Sequence, residues 1–474
     1  MTEILHPDLC VIGAGSGGLG IAAGAAQMGA AVVLVERAKM GGDCLNFGCV
    51  PSKALIAAGR MAQALRVAPR FGISAGEPRV DFAAVHRHVH GVIAAIAPND
   101  SVERFTGLGV RVVQASARFT APGEVEAGAV TIRARRFVIA TGSSPFVPPI
   151  PGLDRVPFLT NESVFELTAC PGHLIVIGGG PIGCELAQAH RRLGARVSVV
   201  EMASIMPKDD PELVEVVRAR LLAEGVAMIE GAKVLRVENQ GDGLGVIFER
   251  DGAERRIEGT HILVAVGRRA NVKDLNLDAA GIAHGPAGIA VDARLRSTNA
   301  RVYAAGDVAG GLQFTHMAGH HAGIVLRNVL FRLGAKVETR AVPWVTFTDP
   351  ELAQIGIGEA EARRRKLDFR LLRWPFHDND RAQTERETEG FIKIVVSRRG
   401  RVLGAAIVGP RAGELIMPWV IAVQENLKIG ALAKAIVPYP TLSEVAKRAA
   451  GSFFAASLFS ERTRRIVRLL QRLG

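Results

Sequence analysis

Two cysteines, Cys44 and Cys49, stand five positions apart in the run Gly41-Gly42-Asp43-Cys44-Leu45-Asn46-Phe47-Gly48-Cys49-Val50-Pro51-Ser52-Lys53. Four intervening residues, with Asn46 and Gly48 to bend the chain, fit neither Cys-x-x-Cys zinc spacing nor a thioredoxin pattern. From Pro51 the sequence turns helical, which puts Cys49 at a helix start, where unpaired N–H groups and the helix dipole favour a thiolate. Lys53 follows one turn later on the same face. One of the two sulfurs is thus built to hold negative charge. Two buried structural cysteines are the alternative; Gly41-Gly42, Pro51-Ser52-Lys53 and a nucleotide motif upstream favour reactive ones.

A chain of 474 residues exceeds a single core and suggests about three domains. With 48% hydrophobic and 22% charged residues it is an ordinary globular composition, so core burial is not in question. The net charge of +12 and pI near 9.9 suit anionic partners. Because the charge is spread along the chain, it reads as solubility and cofactor steering, and no nucleic-acid partner is expected. Cys10, Cys170 and Cys184 sit in or beside apolar runs, as small hydrophobes do. The odd total of five cysteines is a cytoplasmic usage rather than a secreted disulfide framework. Met1 to Asp8 has no basic region and runs into a core strand, so no signal peptide is expected.

The elements that must position the cysteines begin at Leu9–Ile12, a strand, followed by Gly13, Gly15 and Gly18 in Gly-x-Gly-x-x-Gly spacing. The first glycine makes the turn, the second lets backbone approach a pyrophosphate, and the third lets helix pack on strand. Val11 to Val35 carries no charge and would pass a hydropathy test for a membrane span. Its seven glycines mark it instead as strand, helix and strand. Glu36 ends the next strand eighteen residues past Gly18, where a carboxylate accepts from a ribose diol. The pattern recurs: strand Leu174–Ile177, then Gly178, Gly180 and Gly183, then Glu201 eighteen residues on. Glu201 suits a ribose 2′-hydroxyl and repels a 2′-phosphate, and no arginine stands among Met202 to Pro207, so NADH is expected over NADPH.

Together these segments resemble the class I pyridine nucleotide-disulfide oxidoreductases, the family of dihydrolipoamide dehydrogenase, glutathione reductase and mercuric reductase. The resemblance rests on Gly41–Lys53, both glycine motifs, Phe137–Gly142, Val266–Asn271 and Tyr303–Asp307, and covers about Leu9 to Gly451. It implies FAD at the first site, NAD(H) at the second, and hydride passing from nicotinamide to flavin. It makes Cys44 and Cys49 a redox disulfide, with Cys49 the thiolate facing the flavin and Cys44 attacking the substrate. Glu185 becomes the partner of Lys53 beside the flavin; Gly42, Lys53, Thr141, Gly142, Gly267, Gly306 and Asp307 contact the cofactor. The implied fold is α/β, with two Rossmann-like dinucleotide-binding domains and a C-terminal α+β dimerisation domain. Boundaries are expected at 1–148 (FAD), 149–272 (NAD(P)), 273–340 (FAD, return segment), 341–459 (dimerisation) and 460–474 (a basic tail).

In the third domain, strands are expected at Phe391–Val396 and Gly404–Val408, and an amphipathic helix from Glu414 to Asn426. A homodimer is implied, each disulfide completed by Val437–Glu444 of the other subunit. That segment usually reads His-x-x-x-x-Glu; here Tyr439 stands in the histidine position and Glu444 is retained. A tyrosine with a pKa near 10 exchanges protons poorly at neutral pH, so ordinary dithiol chemistry loses its base. Mercuric reductases also carry tyrosine there, but with a second cysteine pair at the C-terminus that this sequence lacks. The expected activity is NADH:disulfide oxidoreduction onto a small-molecule disulfide or other soft acceptor. A metal-ion or quinone reductase, and a redox-sensing flavoprotein of poor turnover, are the alternatives. No metal site is expected: His86, His88 and His90 alternate along a helix and point to different faces, and His316 and His320 stand one helical turn apart, His316 in the helix that the resemblance puts under the flavin. Ile466, Leu469, Leu470 and Leu473 form one face of a tail helix whose other face is arginine-rich. That apolar face is expected to pack on the protein itself, with an anionic membrane surface as the alternative.

Overall fold

The computed structural model describes residues 3–240 and 243–472. Two compact units emerge, one ending at Met202 and resumed over Ile229–Glu338, the other formed by Ala203–Met228 and the chain from Thr339 onward. In chain order the first helices are α1 (Ser16–Gln27), α2 (Gly42–Asn46), α3 (Cys49–Val67), α4 (Phe82–Ile96), α5 (Val102–Gly107), α6 (Pro181–Arg192), α7 (Pro211–Ala223) and α8 (Thr315–Leu330). All but α7 belong to the first unit.

The first unit is built on a parallel sheet ordered Val302–Ala304, Arg136–Ile139, Leu9–Ile12, Val32–Glu36 and Arg111–Gln114. Every residue of Leu9–Ile12 is buried, as in a strand covered on both faces, which explains the uncharged run that imitates a membrane span. A second parallel arrangement places His173–Ile177 between Arg196–Val200 and His261–Val264. Both sheets deliver a glycine turn and a helix at the carboxyl end of their central strand. Several of the seven glycines have a packing reason besides. A Cβ on Gly17 or Gly20 would lie 3.4 Å from the Cβ of Ala318 or Ala322, and one on Gly24 would lie 2.6 Å from Leu326 Cδ1, so α1 and α8 are pressed together along a stripe of small residues.

The second unit holds an antiparallel sheet ordered Trp344–Thr346, Glu351–Gly356, Val402–Gly409, Phe391–Ser397 and Phe369–Pro375. Its helices are α9 (Glu359–Arg364), α10 (Asp380–Glu385), α11 (Ala412–Leu415), α12 (Met417–Gln424), α13 (Ile429–Lys434), α14 (Glu444–Leu458) and α15 (Glu461–Leu470). Trp419 and Phe376 are wholly buried at the centre of its core. The single helix expected from Glu414 to Asn426 is two, because Pro418 has no N–H to donate and its ring clashes with the carbonyl four residues back. The tail forms α15, yet its apolar face does not pack on the chain: Ile466, Leu469 and Leu470 are 48, 59 and 59% exposed. Leu473, the last residue of that face, lies outside the described residues. Among the described residues, no helix is long and apolar enough to cross a membrane.

Lys393, in a buried central strand, meets Glu359 at 2.6 Å, Asp210 at 2.9 Å and Glu212 at 3.0 Å. Arg363 and Arg373 still pair with Glu359 and Glu212, but removing Lys393 takes from the nearly buried Asp210 the cation it faces. Lys393→Met should therefore lower the unfolding free energy by about 3 kcal/mol, read by chemical denaturation of variant and wild type at matched protein concentration.

Candidate active site

Three helix starts meet at the two cysteines. Cys49 is the first residue of α3, Ser16 of α1 and Thr315 of α8, and none of the three helices has a side-chain cap. Each start therefore offers unpaired N–H groups and roughly half a positive charge. Cys44, expected in a bend, sits instead in α2, a single turn. Gly41 enters that turn at a φ of 87°, where a side chain would be strained, and Asn46 closes it by donating Nδ2 to the carbonyls of Met40 and Gly42 at 3.0 and 2.8 Å.

Neither sulfur is in a disulfide, and the two hydrogen-bond to each other. The Cys44 thiol donates to Cys49, and this bond is the main reason the Cys49 pKa falls to about 6. Desolvation works against it, while the Thr315 hydroxyl, with Oγ1 3.4 Å from the sulfur, and the Lys53 ammonium add to it. The same bond pushes the Cys44 pKa far up, with burial acting in the same direction. The pair thus carries one proton, on Cys44, and one charge, on Cys49.

Lys53 Nζ donates to Glu185 Oε2 at 2.7 Å. Glu185 lies on α6, which begins at the second glycine motif, and its side chain is only 6% exposed. Close packing of α3 on α6 makes this reach workable: a Cβ on Gly59 would sit 3.3 Å from the carbonyl oxygen of Ala189, and Arg66 Nη1 donates to the carbonyl of Arg192 at 2.8 Å.

Beside the cysteines runs a cleft of 410 Å³, lined among others by Gly13, Gly15, Glu36, Gly42, Thr141 and Gly142, a size suited to a bound small molecule. Its floor accepts only glycine, since a Cβ on Gly18 would meet the Gly13 oxygen at 1.8 Å and one on Gly42 the Gly15 Cα at 2.7 Å. The Glu36 carboxylate accepts from the backbone N–H of Ala14 at 2.6 Å and of Ala38 at 2.8 Å. The second motif repeats the construction. A Cβ on Gly183 would meet the Gly178 oxygen at 2.0 Å, the space at Gly180 is open, and Glu201 accepts from Gly179 N–H at 2.6 Å. These two cradles fit two dinucleotides.

Sequence reasoning assigned no role to Ser16, Asp43, Ser143, Arg268 or Thr315. Arg268 donates Nε to Ser143 Oγ and Nη2 to the Ser143 carbonyl, both at 2.7 Å, and its Nη2 lies 3.1 Å from Asp43 Oδ1. Ser143 Oγ in turn donates to Asp307 Oδ2 at 2.6 Å. Burial raises the Asp307 pKa, with Ser143 and Arg268 opposing. Thr141 and Asn271 bond reciprocally at 2.8 and 3.0 Å, so the strand end after Gly267 is tied to the Thr141–Gly142 turn. Gly306 opens the turn that carries Asp307. Arg268 stood inside a motif that was read, but nothing local to Thr315 pointed to a sulfur 266 residues away.

His86 and His90 do not point to different faces: they are one turn apart on α4, with ring centroids 4.2 Å from each other, while His88 is exposed. His316 stacks on Phe314 at 5.1 Å. Tyr439 and Glu444 lie in the second unit. Tyr439 is 69% exposed and its hydroxyl donates to Asp380 Oδ2 at 2.8 Å, which raises its pKa. Glu444 is the first residue of α14.

Residues 7–322 match the family "Pyridine nucleotide-disulphide oxidoreductase", and residues 342–450 match its dimerisation domain. The chain belongs to this family. It is 36% identical over 449 residues to a mercuric reductase of Bacillus cereus, covering 94% of this chain and 71% of that one. It is 37% identical to a dihydrolipoyl dehydrogenase of Thermus scotoductus, covering 92 and 95%. Among solved structures, LpdA from Mycobacterium tuberculosis superposes with a TM-score of 0.86 at 30% identity, covering 94 and 99%. A Cu(II) complex of the HOCl-induced flavoprotein disulfide reductase RclA from Escherichia coli gives 0.83 at 27%, covering 93 and 98%. The fold is accordingly that of the flavoprotein disulfide reductases, and the chain is an oxidoreductase of sulfur groups that uses FAD and NAD(P)H. Its dimerisation domain supports a homodimer.

In the reduced chain, iodoacetamide labelling of Cys49, followed peptide by peptide by mass spectrometry, should accelerate about tenfold per pH unit until pH reaches about 6, then level off. Cys44→Ala removes the principal hydrogen-bond donor and should move that break upward; an unmoved break would show that the helix start and Thr315 hold the charge without Cys44.

Proposed function

We propose that this chain moves two electrons from NADH, by way of FAD in the Gly13–Gly18 cradle, to a redox disulfide of Cys44 and Cys49, and from there to a soft, thiophilic acceptor. Bound NADH and FAD supply hydride transfer and the two-electron relay. The rest falls to this chain's own side chains. Reducing the Cys44–Cys49 disulfide takes two electrons and one proton and leaves one thiol and one thiolate. The single observation that carries the reading is the hydrogen-bonded thiol and thiolate at three helix starts. Lys53 and Glu185 are proposed to position the nicotinamide side of the relay, because their ion pair joins the helix of the second cradle to the helix that begins at Cys49. Gly178, Gly180 and Gly183 receive the second pyrophosphate, and Gly267, Gly306 and Asp307 border the first cofactor. The cytoplasm is proposed as the location, since Cys10, Cys170 and Cys184 form no disulfide framework.

The proton on Cys44 favours a thiophilic metal ion over an ordinary disulfide as acceptor. To attack a disulfide, Cys44 must first lose that proton to a base, and Tyr439 is a poor one: its hydroxyl already donates to Asp380, which holds the phenol protonated. A soft metal ion needs no base, because thiolate coordination itself displaces the proton. Relatives named mercuric reductase and a Cu(II) complex of RclA agree with that class.

In steady-state NADH oxidation by the holoenzyme, Hg(II) or Cu(II) should therefore be turned over faster than small disulfides or quinones. Tyr439→His should raise small-disulfide activity by at least about tenfold, the low side of what a positioned general base contributes, while leaving reduction of the flavin by NADH unchanged. Small disulfides preferred by the wild type would overturn the metal-ion reading, and oxidation no faster than with oxygen alone would favour a redox sensor.

We infer that the carboxylate of Glu201, which accepts from Gly179 N–H, takes the place that the 2′-phosphate of NADPH would need. One such unfavourable contact of about 1.4 kcal/mol makes kcat/KM for NADH roughly tenfold higher. Equal use of both nucleotides by the same preparation would remove Glu201 from the specificity argument.

A further inference from the structure

Away from the cysteines, the geometry points to a second site: His86, His90 and Glu166 form a binding site for a borderline divalent transition cation, Zn2+ in the first instance, that clamps α4 onto the turn Val164–Glu166. His86 and His90 are at i and i+4 on α4, the spacing that sets two imidazoles on one helix face. Glu166 comes from a separate segment, a single 3-10 turn packed against that helix. One ring nitrogen of each histidine and a Glu166 carboxylate oxygen all lie within 4.8 Å of one another. His86 Nε2 is 3.9 Å and His90 Nε2 3.6 Å from Glu166 Oε2.

Those separations decide the reading. They are too long for hydrogen bonds, whose N···O distances are about 2.7–3.2 Å. They are close to the donor spacing of a tetrahedral zinc site, where metal–ligand bonds of about 2.0–2.1 Å put neighbouring ligand atoms about 3.3 Å apart. Small rotamer changes close the difference. His90 Nε2 also lies 3.3 Å from the carbonyl oxygen of Phe165, a contact the ion would replace. Two imidazoles and one carboxylate suit Zn2+, Cu2+ or Ni2+ and disfavour Mg2+, which prefers an all-oxygen shell. Both histidines are partly buried and Glu166 is exposed, so the site is reachable, and solvent takes the remaining coordination position. His88, two residues from each histidine and exposed, is the built-in control.

The thiols are the main competitor for such an ion, so the test uses tag-free, FAD-loaded full-length protein with its cysteines alkylated. Equilibrium dialysis against ZnCl2 alone should find one saturable equivalent, with a higher thermal unfolding temperature in the bound form and no comparable effect of MgCl2. Losing even an outer partner of a metal ligand costs about 10- to 100-fold in affinity, so His90→Ala and the shape-preserving Glu166→Gln should each weaken binding by at least that factor, and His88→Ala should leave it unchanged. Absence of a saturable equivalent in the alkylated wild type, or binding by Glu166→Gln and His90→Ala equal to wild type, would overturn the site and leave the three residues a surface ion pair.

Discussion

A negative charge on one sulfur has to be held at the start of a helix, and much of the first unit is arranged for that. Ser16, Cys49 and Thr315 are each the first residue of their helix, and all three reach the cysteine pair. Bringing these starts together requires helices that pack more closely than ordinary side chains allow. Gly17, Gly20 and Gly24 of α1 face Ala318, Ala322 and Leu326 of α8, and Gly59 of α3 faces Ala189 of α6. A glycine inside a helix costs about 0.5–1 kcal/mol relative to alanine, or about 2–4 kcal/mol for the four. The fold accepts that cost at the helices that frame the sulfurs.

The ranking of the forces on Cys49 differs from what spacing alone suggests. Lys53, one turn into α3, looks like the natural counter-ion, yet the hydrogen bonds from Cys44 and Thr315 act more strongly on Cys49. The reason lies at the other end of Lys53. Its ammonium is engaged by Glu185 at 2.7 Å, and that carboxylate partly cancels it by raising the same pKa. The thiolate is thus held mainly by hydrogen-bond donors rather than by the ion pair. The Arg268–Ser143–Asp307 chain extends the same device, with one hydroxyl accepting from a cation and donating to a carboxyl.

What could be read in the sequence was whatever sterics impose locally. The glycine turns, the strands before them and the carboxylates eighteen residues later were legible because a Cβ at Gly18 or Gly183 would overlap a carbonyl oxygen about five residues earlier, whatever the rest of the fold does. The helix start at Cys49 was legible because Pro51 fixes it nearby. Contacts made across the sequence were not. Thr315 and Arg268 reach the site over 266 and 125 residues, and no periodicity encodes such a meeting. Pro418 was overlooked inside an otherwise amphipathic pattern, and the tail's apolar face was assigned to packing although α15 has no buried residue. His86 and His90 were separated in the reading by attention to the alternate positions, whereas the i, i+4 relation governs which side chains meet on a helix.

Tyr439 shows why a substitution cannot be interpreted from the residue alone. A phenol at that position could still relay protons if a neighbour accepted its proton in turn, and Asp380 is placed to do so at 2.8 Å. The electrostatics go the other way: the hydrogen bond to Asp380 and the charge of that carboxylate both favour the protonated phenol, and Glu444 adds to them. The pair Tyr439–Asp380 is therefore a fixed donor and acceptor rather than a base. On the proposed reading it removes proton exchange from the acceptor side just where Cys44 retains its proton most firmly. On that reading both ends of the transfer work against ordinary disulfide exchange, and an acceptor that displaces the thiol proton by coordination escapes both.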